Sequence, residues 1–255
     1  MTDGRRVMPI FDAHFHIVDP RFPVTPNEGY VPPAFTVADY LERVRGLGVT
    51  GGAVVSGSFH GFDQGYLLDA LALLGPRFVG VTQLPATVTD TEIARLDEAG
   101  VRGIRFNLRR GGSESAAHLD SLARRVHDVA GWHTELYVDA RELPALTGTV
   151  AALPAVSIDH LGLSAAGLPH LLDLVDRGVR VKATGFGRAD FDVAAVLRAV
   201  ADRNPHALMF GTDLPSTRAP RPFTDTDVAV VTDALGPDLA ARALHDNAAQ
   251  FYRVR

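Results

Sequence analysis

Cysteine is absent from this 255-residue sequence, and tryptophan occurs only once. A chain without thiols forms no disulfide, holds no zinc–thiolate site or iron–sulfur cluster, and has no cysteine nucleophile. The absence of cysteine is typical of proteins in a reducing compartment, so we expect a soluble, cytoplasmic protein.

Long apolar runs are also missing. No apolar run approaches the roughly 18 residues that a membrane helix needs, and the basic residues near the N-terminus are not followed by a signal-peptide stretch. We therefore predict no membrane association. We also predict one domain over residues 1–255, in which residues 1–8 form a flexible tail.

The sequence has no surplus of basic residues either. It contains 25 Lys and Arg residues against 30 Asp and Glu residues, which gives a formal net charge of −5. Because nucleic-acid binding requires a basic surface, this balance disfavours nucleic acid as a partner. The sequence does not indicate an oligomeric state.

Short β-rich runs alternate with helical patterns along the whole chain. Several β-rich runs are almost continuously apolar, as at Ala53-Val54-Val55, which is typical of strands buried on both faces of a parallel sheet. The predicted strands are residues 9–16, 52–56, 78–84, 103–107, 133–138, 155–160, 179–184 and 208–213. The predicted helices are residues 37–47, 67–74, 89–99, 119–130, 166–176, 191–202 and 238–251.

Eight strands, most of them followed by a helix, in about 250 residues predict a single (β/α)8 barrel of the TIM type. An open doubly wound sheet is the alternative, but it usually has a glycine-rich phosphate loop after its first strand, which is missing here. Two proline-rich, irregular segments, residues 18–35 and 215–222, follow the first and last strands. In a barrel both lie on the C-terminal rim, where long loops usually contact substrates.

Polar side chains mark the ends of the first and last predicted strands, where a barrel places its functional groups. His14 and His16 are two residues apart on a strand, so both point to the same side. Two adjacent imidazoles form half of a metal site or a pair that stabilises an oxyanion, and buried structural histidines are the alternative. Asp213 is a candidate general base or metal ligand, and the alternative is a cap for the following turn.

Further polar residues near the same rim leave alternatives open. His160 follows Asp159 on the sixth strand, and we favour His160 as the inward-facing group. A buried guanidinium needs an anionic partner, so Arg105 binds either a substrate carboxylate, which we favour, or Asp159. Lys182 can extend outward to solvent, pair with an acid or bind substrate, and Arg188 can form an ion pair or bind substrate.

The opening Phe11-Asp12-Ala13-His14-Phe15-His16 resembles the first strand of the amidohydrolase superfamily. Four further segments of the chain resemble motifs of the second amidohydrolase subfamily. They are Gly103-Ile104-Arg105-Phe106-Asn107, Leu136-Tyr137-Val138, Ile158-Asp159-His160-Leu161-Gly162 and Phe210-Gly211-Thr212-Asp213-Leu214-Pro215. The resemblance continues in order to residues 246–252. It is strongest to the branch of 2-pyrone-4,6-dicarboxylate lactonases and sugar lactonases.

This resemblance implies a distorted (β/α)8 barrel that hydrolyses a lactone, often without a metal. It implies that Asp213 activates the water and that three histidines, His14, His16 and His160, polarise the ester carbonyl. The substrate-binding residues that it implies are Arg105, Tyr137, Ser58, Arg188 and Tyr30.

The resemblance also bears on a metal cofactor. Metal-dependent relatives usually have a bridging Lys or Glu on the fourth strand and a His at the end of the fifth, where this chain has Arg105 and Tyr137. A guanidinium repels a cation, so we expect no required cofactor. If one ion is bound, the ligands that remain are His14, His16 and Asp213, which suffice for zinc.

Two departures from the lactonase pattern bear on the substrate. Leu163 lies where an arginine is frequent, and Ser216 lies where a histidine is common. The loss of a carboxylate-binding arginine disfavours an aromatic pyrone dicarboxylate and favours a monocarboxylated or sugar-derived lactone. The rim segment, residues 217–222, contains two arginines that can supply a replacement cation.

The leading hypothesis is therefore a hydrolase that opens a small anionic or sugar-like lactone. The alternative is a mononuclear metal-dependent hydrolase or decarboxylase of the same superfamily. A third hypothesis is a catalytically silent barrel that binds an anionic metabolite, although a binding protein has no need for a carboxylate that activates water.

Overall fold

Eight parallel strands pair in chain order in the computed structural model, which describes residues 8–254. The strands are β1 (Ile10–Phe15), β2 (Val49–Val55), β3 (Phe78–Thr82), β4 (Val101–Asn107), β5 (His133–Tyr137), β6 (Val156–Ile158), β7 (Arg180–Ala183) and β8 (Leu208–Phe210). Past the end of β8, the Asp213 N–H donates to the carbonyl of His14 at 2.7 Å, which ties the last strand to the first. The predicted (β/α)8 barrel and all eight predicted strands are confirmed.

Helices surround the barrel and connect its strands. They are α1 (Val37–Arg43), α2 (Gly65–Leu74), α3 (Asp90–Glu98), α4 (Leu119–Ala130), α5 (Leu143–Ala152), α6 (Leu168–Asp176), α7 (Val193–Arg203), α8 (Thr226–Ala241) and α9 (Asn247–Phe251). The Thr36 side chain caps α1 by accepting from the Asp39 N–H at 3.3 Å. Gly131 ends α4 in the left-handed region, with φ 67°, where a residue without Cβ is favoured.

Helix α1 ends at Arg43, four residues before its predicted end, and two other helices differ more from the prediction. Helix α5 was not predicted, because Pro144 and Gly148 interrupt its sequence pattern, yet Pro144 lies in the first turn, where proline is compatible with a helix. Helix α8 begins at Thr226, well before the predicted start at residue 238. The non-helical Gly236, with φ 71°, and the following Pro237 bend α8 and hide its first half from a periodicity argument.

The core follows the alternation of the strands. In β2, Val54 packs in the large apolar layer beneath the helices, whereas Ala53 and Val55 pack on the opposite face with Val79 and Val81 of β3. Residues 1–7 of the predicted tail lie outside the described residues, and Met8 packs against the core. Between residues 8 and 254, no helix combines the length and apolarity that a membrane span requires.

Candidate active site

A cavity opens at the C-terminal ends of the barrel strands. Both irregular rim segments contribute to it, Tyr30 from the first and Thr217 and Arg218 from the second. The predicted site residues that line it are His16, Tyr30, Ser58, Arg105, Tyr137, His160, Arg188 and Asp213. His14 is fully buried behind this lining and packs edge-on against His16 and His160, with ring centroids 5.0 Å away in each case.

Asp213 presents one bound and one free carboxylate oxygen. Oδ2 accepts from Arg188 Nε at 2.8 Å and lies 2.7 Å from Arg188 NH2, whereas the buried Oδ1 has no hydrogen-bond partner within residues 8–254. The backbone at Asp213 has φ 58°, a left-handed conformation that is rare for aspartate. Burial raises the pKa of Asp213, and the Arg188 guanidinium counteracts part of this rise.

His16 has a defined tautomer when it is neutral. Its Nδ1 lies 2.7 Å from the carbonyl oxygen of Val55, which can only accept, so Nδ1 carries the proton. The lone pair is then on Nε2, which lies 3.8 Å from Asp213 Oδ1. Burial, followed by the charge of Arg105, holds the pKa of His16 well below its usual range, which favours the neutral ring.

His14 has different neighbours from His16. Its Nδ1 lies 3.2 Å from Lys182 Nζ, and its Nε2 lies 3.9 Å from Asp213 Oδ1. Nε2 has no hydrogen-bond partner in the described part of the chain. Burial, followed by the charge of Lys182, holds the pKa of His14 well below its usual range, so this ring is also neutral.

His160 enters the cavity from the turn after β6. Its backbone has φ 53°, and its Nδ1 lies 2.8 Å from the Thr184 hydroxyl. The ring needs the space beside Gly185, because a Cβ at Gly185 would lie 2.8 Å from His160 Nδ1. Tyr137 packs edge-on against the His160 ring at a centroid distance of 5.0 Å. Burial, followed by the charge of Arg188, holds the pKa of His160 well below its usual range.

Arg105 is paired within the protein. Its Nε and NH2 donate to Asp159 Oδ2 at 3.1 and 2.8 Å, and NH1 donates to the Ser56 carbonyl at 2.8 Å. This is the ion pair that the sequence left as the alternative to substrate binding. Arg105 nevertheless lines the cavity, 5.3 Å from the centroid of the Tyr137 ring, so substrate binding by its remaining N–H groups stays a prediction.

A charged network beneath the cavity was missed by sequence reasoning. Fully buried Glu135 accepts from Lys182, from His133 Nε2 at 3.0 Å and from the Tyr252 hydroxyl at 2.6 Å. The sequence contained a pattern that could have predicted this network, because His133 and Glu135 lie four and two residues before Tyr137 on β5 and share its inward face. Lys182 is thus ion-paired, which was one of the roles left open for it.

The second rim segment places one arginine at the cavity and turns the other away. Arg218 donates to Asn27 Oδ1 and Glu28 Oε2, each at 3.1 Å, and its guanidinium lies 4.4 Å from the centroid of the Tyr30 ring. Arg221 instead donates to Asp227 at 2.9 Å and does not line the cavity. Arg218 is therefore the cation that this segment brings to the cavity.

A comparison with protein families identifies the barrel. The family model described as amidohydrolase matches residues 11–254, nearly the whole chain. The chain belongs to the amidohydrolase family. The resemblance stated from the strand motifs is thereby confirmed.

Curated relatives and solved structures extend this finding. This amidohydrolase is 30% identical to a 4-sulfomuconolactone hydrolase of Rhizobium radiobacter over 96% of this chain and 90% of that protein. It is 34% identical to a 2-pyrone-4,6-dicarboxylate hydrolase of Comamonas testosteroni, over 59% of this chain and 51% of that protein. A crystal structure of an Agrobacterium tumefaciens protein shares the fold, with a TM-score of 0.84, 24% identity and 97% coverage of both chains. The family match and these relatives confirm the prediction of a hydrolase that acts on an ester bond.

The ligand types for a metal ion are present in this amidohydrolase, but their hydrogen bonds do not suit one. His14, His160 and Asp213 have potential ligand atoms within 4.8 Å of one another. A metal-bound histidine usually donates its other ring N–H to an acceptor, as His16 can to Val55. His14 Nδ1 faces the Lys182 ammonium instead, and Arg188 occupies the second oxygen of Asp213. Both contacts compete with a metal ion for these ligand atoms.

Proposed function

We propose that this amidohydrolase opens a small anionic lactone without a metal, with Asp213 as the general base. The observation that carries this proposal is the free Oδ1 of Asp213, buried at the cavity between His14 and His16 while Arg188 holds Oδ2. A partly desolvated carboxylate with one free oxygen can take a proton from water, and burial raises its basicity above that of an exposed aspartate.

The nucleophilic water binds between Asp213 Oδ1 and His16 Nε2 in this proposal. These two acceptor atoms are 3.8 Å apart, so one water can donate a hydrogen bond to each. This assigns His16 a different task from the oxyanion role that the family resemblance implies. A neutral His16 that donates through Nδ1 has no N–H left for an oxyanion.

The oxyanion is stabilised by His14 and His160 in this proposal. As the water oxygen bonds to the lactone carbonyl carbon, one water proton passes to Asp213 Oδ1, and the carbonyl oxygen becomes negative. Neutral imidazole N–H groups in a dry cavity stabilise that charge. When the ring C–O bond breaks, Asp213 returns its proton to the leaving oxygen, and the product is a hydroxy acid.

The charge of the cavity favours an anionic substrate. Four arginines line it, and they are Arg105, Arg110, Arg188 and Arg218. Asp213 is the carboxylate in the same lining. A carboxylate or sulfonate on the substrate would accept hydrogen bonds from the guanidinium groups. Two relatives, the 4-sulfomuconolactone hydrolase and the 2-pyrone-4,6-dicarboxylate hydrolase, are named for lactones with acidic groups, which supports this substrate class.

Proton release by the metal-stripped enzyme against a panel of carboxylated, sulfonated and sugar lactones tests this function. Each ring opening yields an acid that ionises at pH 7. We expect turnover of an anionic member and a fall in kcat of about 10³-fold or more in the Asp213→Asn variant. Asp227→Asn, at a buried aspartate outside the cavity, serves as the matched control and should retain activity. Full activity of Asp213→Asn, or no turnover of any lactone, would refute the proposal.

A further inference from the structure

Lys182 is the only lysine in the sequence, since the other 24 basic residues are arginines. Its side chain is fully buried inside the barrel, where an ammonium group is costly unless it is paired. Nζ contacts the Glu135 carboxylate and lies 3.2 Å from His14 Nδ1 and 3.7 Å from Asp159 Oδ1. The one lysine therefore lies directly behind the catalytic histidine of β1.

Lys182 Nζ lies between two buried carboxylates, Glu135 and Asp159. Glu135 accepts three hydrogen bonds, and Lys182 together with His133 outweighs the effect of burial and lowers the pKa of Glu135. Two buried cations, Lys182 and Arg105, thus face two buried carboxylates, Glu135 and Asp159. An ammonium group has three donors and no acceptor. Its three N–H groups point in tetrahedral directions, so it can donate to three groups that do not lie in one plane, whereas the donors of a guanidinium are coplanar.

This charge decides where the His14 proton resides. Because Lys182 can only donate, His14 Nδ1 must accept, and the proton of the neutral ring is then on Nε2. The competing tautomer would donate from Nδ1 to Asp159 Oδ1, but that distance is 3.6 Å, and its N–H would face the ammonium. His14 in β1 and His16 just after it therefore have opposite tautomers, because His16 faces a carbonyl where His14 faces an ammonium.

We infer that Lys182 is a positioning residue that fixes His14 as the Nε2–H tautomer. It thereby supplies the N–H that faces the reacting carbonyl. The role of this N–H as an oxyanion donor rests on the proposed function, whereas the tautomer itself does not. His14 Nε2, which has no other partner among residues 8–254, is the atom left for the substrate.

The tautomers can be measured in the substrate-free enzyme by NMR with ¹⁵N-labelled histidine and lysine. We expect a protonated Nε2 and an unprotonated Nδ1 for His14, and the reverse for His16, which is the internal control. The ring ¹⁵N signals that disappear in the His14→Gln variant are assigned to His14. Because the chain has one lysine, a coupling between Nζ and His14 Nδ1 needs no lysine assignment. A His14 ring protonated on Nδ1, or with both nitrogens unprotonated by metal binding, would overturn the inference.

Two variants then test the role of Lys182. In Lys182→Met, we expect the Nε2–H preference of His14 to be lost, kcat to fall about 10²-fold and KM to stay within about twofold. The tautomer of His16 should not change in this variant. Because Lys182→Met leaves carboxylates unpaired, Lys182→Met/Glu135→Gln, with both charges removed, is the second variant. An unchanged His14 tautomer in a folded variant would overturn the inference. If the tautomers are as expected but no lactone is turned over, the proposed function fails and the positioning of His14 stands.

Discussion

The two halves of the barrel interior differ in chemistry. Strands β2 and β3 contribute small apolar side chains, such as Val55 and Val81, which pack together with Met209 of β8. Strands β4, β5 and β7 and the residue after β6 contribute charged side chains that are also buried, and these are Arg105, Glu135, Lys182 and Asp159. The apolar half depends on shape alone, whereas every member of the charged half depends on its partners. The groups proposed for catalysis contact the charged half.

The largest effect should come from removing one charge of the charged half. Glu135→Gln leaves the Lys182 ammonium without its nearest carboxylate, which should lower the free energy of unfolding by about 3–5 kcal/mol. Met209→Leu, a substitution of similar volume in the apolar half, should cost less than about 1.5 kcal/mol. Urea unfolding of both variants measures the difference. Equal losses would show that the two halves do not differ in this way.

The second largest effect should be a dependence of stability on pH that comes from the charged half and not from the apolar half. Burial raises the pKa of Glu135, but Lys182 and His133 outweigh it and lower the pKa from 4.5 to about 2. The folded state then binds fewer protons than the unfolded chain between these values. The stabilisation is present above about pH 4.5 and is lost as the pH falls towards 2.

Unfolding measured between pH 2 and 5 in the wild type and Glu135→Gln tests this dependence. The difference in unfolding free energy between the two proteins should shrink as the pH falls. Met209→Leu should keep a constant difference from the wild type, because it removes no titratable group. A constant difference for Glu135→Gln as well would contradict the lowered pKa of Glu135.

The apolar half was also the easier half to predict from sequence. Runs such as Ala53-Val54-Val55 identify buried strands directly, and the rule for barrel strand ends brought His14, His16 and Asp213 together. The partner of Arg105 could not be predicted from the sequence, because only the folded barrel shows that Asp159, which follows β6, lies close enough to pair with it. The histidine tautomers also required the fold, because they depend on groups from β2 and β7 that are distant in sequence.

A smaller effect, on the KM for an anionic lactone, should distinguish the two arginines of the second rim segment. Arg218 lines the cavity, whereas Arg221 pairs with Asp227 outside it. The loss of one charge-assisted hydrogen bond is worth about 1.5–3 kcal/mol, so Arg218→Gln should raise KM for an anionic lactone about 10- to 100-fold. Arg221→Gln is the matched control and should leave KM within about twofold. Equal effects of both variants on KM would show that Arg218 does not select the substrate.

The smallest effect should follow metal removal. His14 cannot present a lone pair from Nε2 while its Nδ1 accepts from Lys182, and Arg188 already holds one oxygen of Asp213. Among the described residues, both groups of three potential metal ligands include His14, so the loss of His14 leaves fewer converging ligands than zinc usually takes from a protein. Dialysis against a chelator should therefore leave kcat/KM within about twofold, with metal analysis to verify removal. Loss of activity that one equivalent of zinc restores would contradict this expectation. It would also mean that the charged half of the barrel rearranges around an ion, so that Lys182 no longer donates to His14.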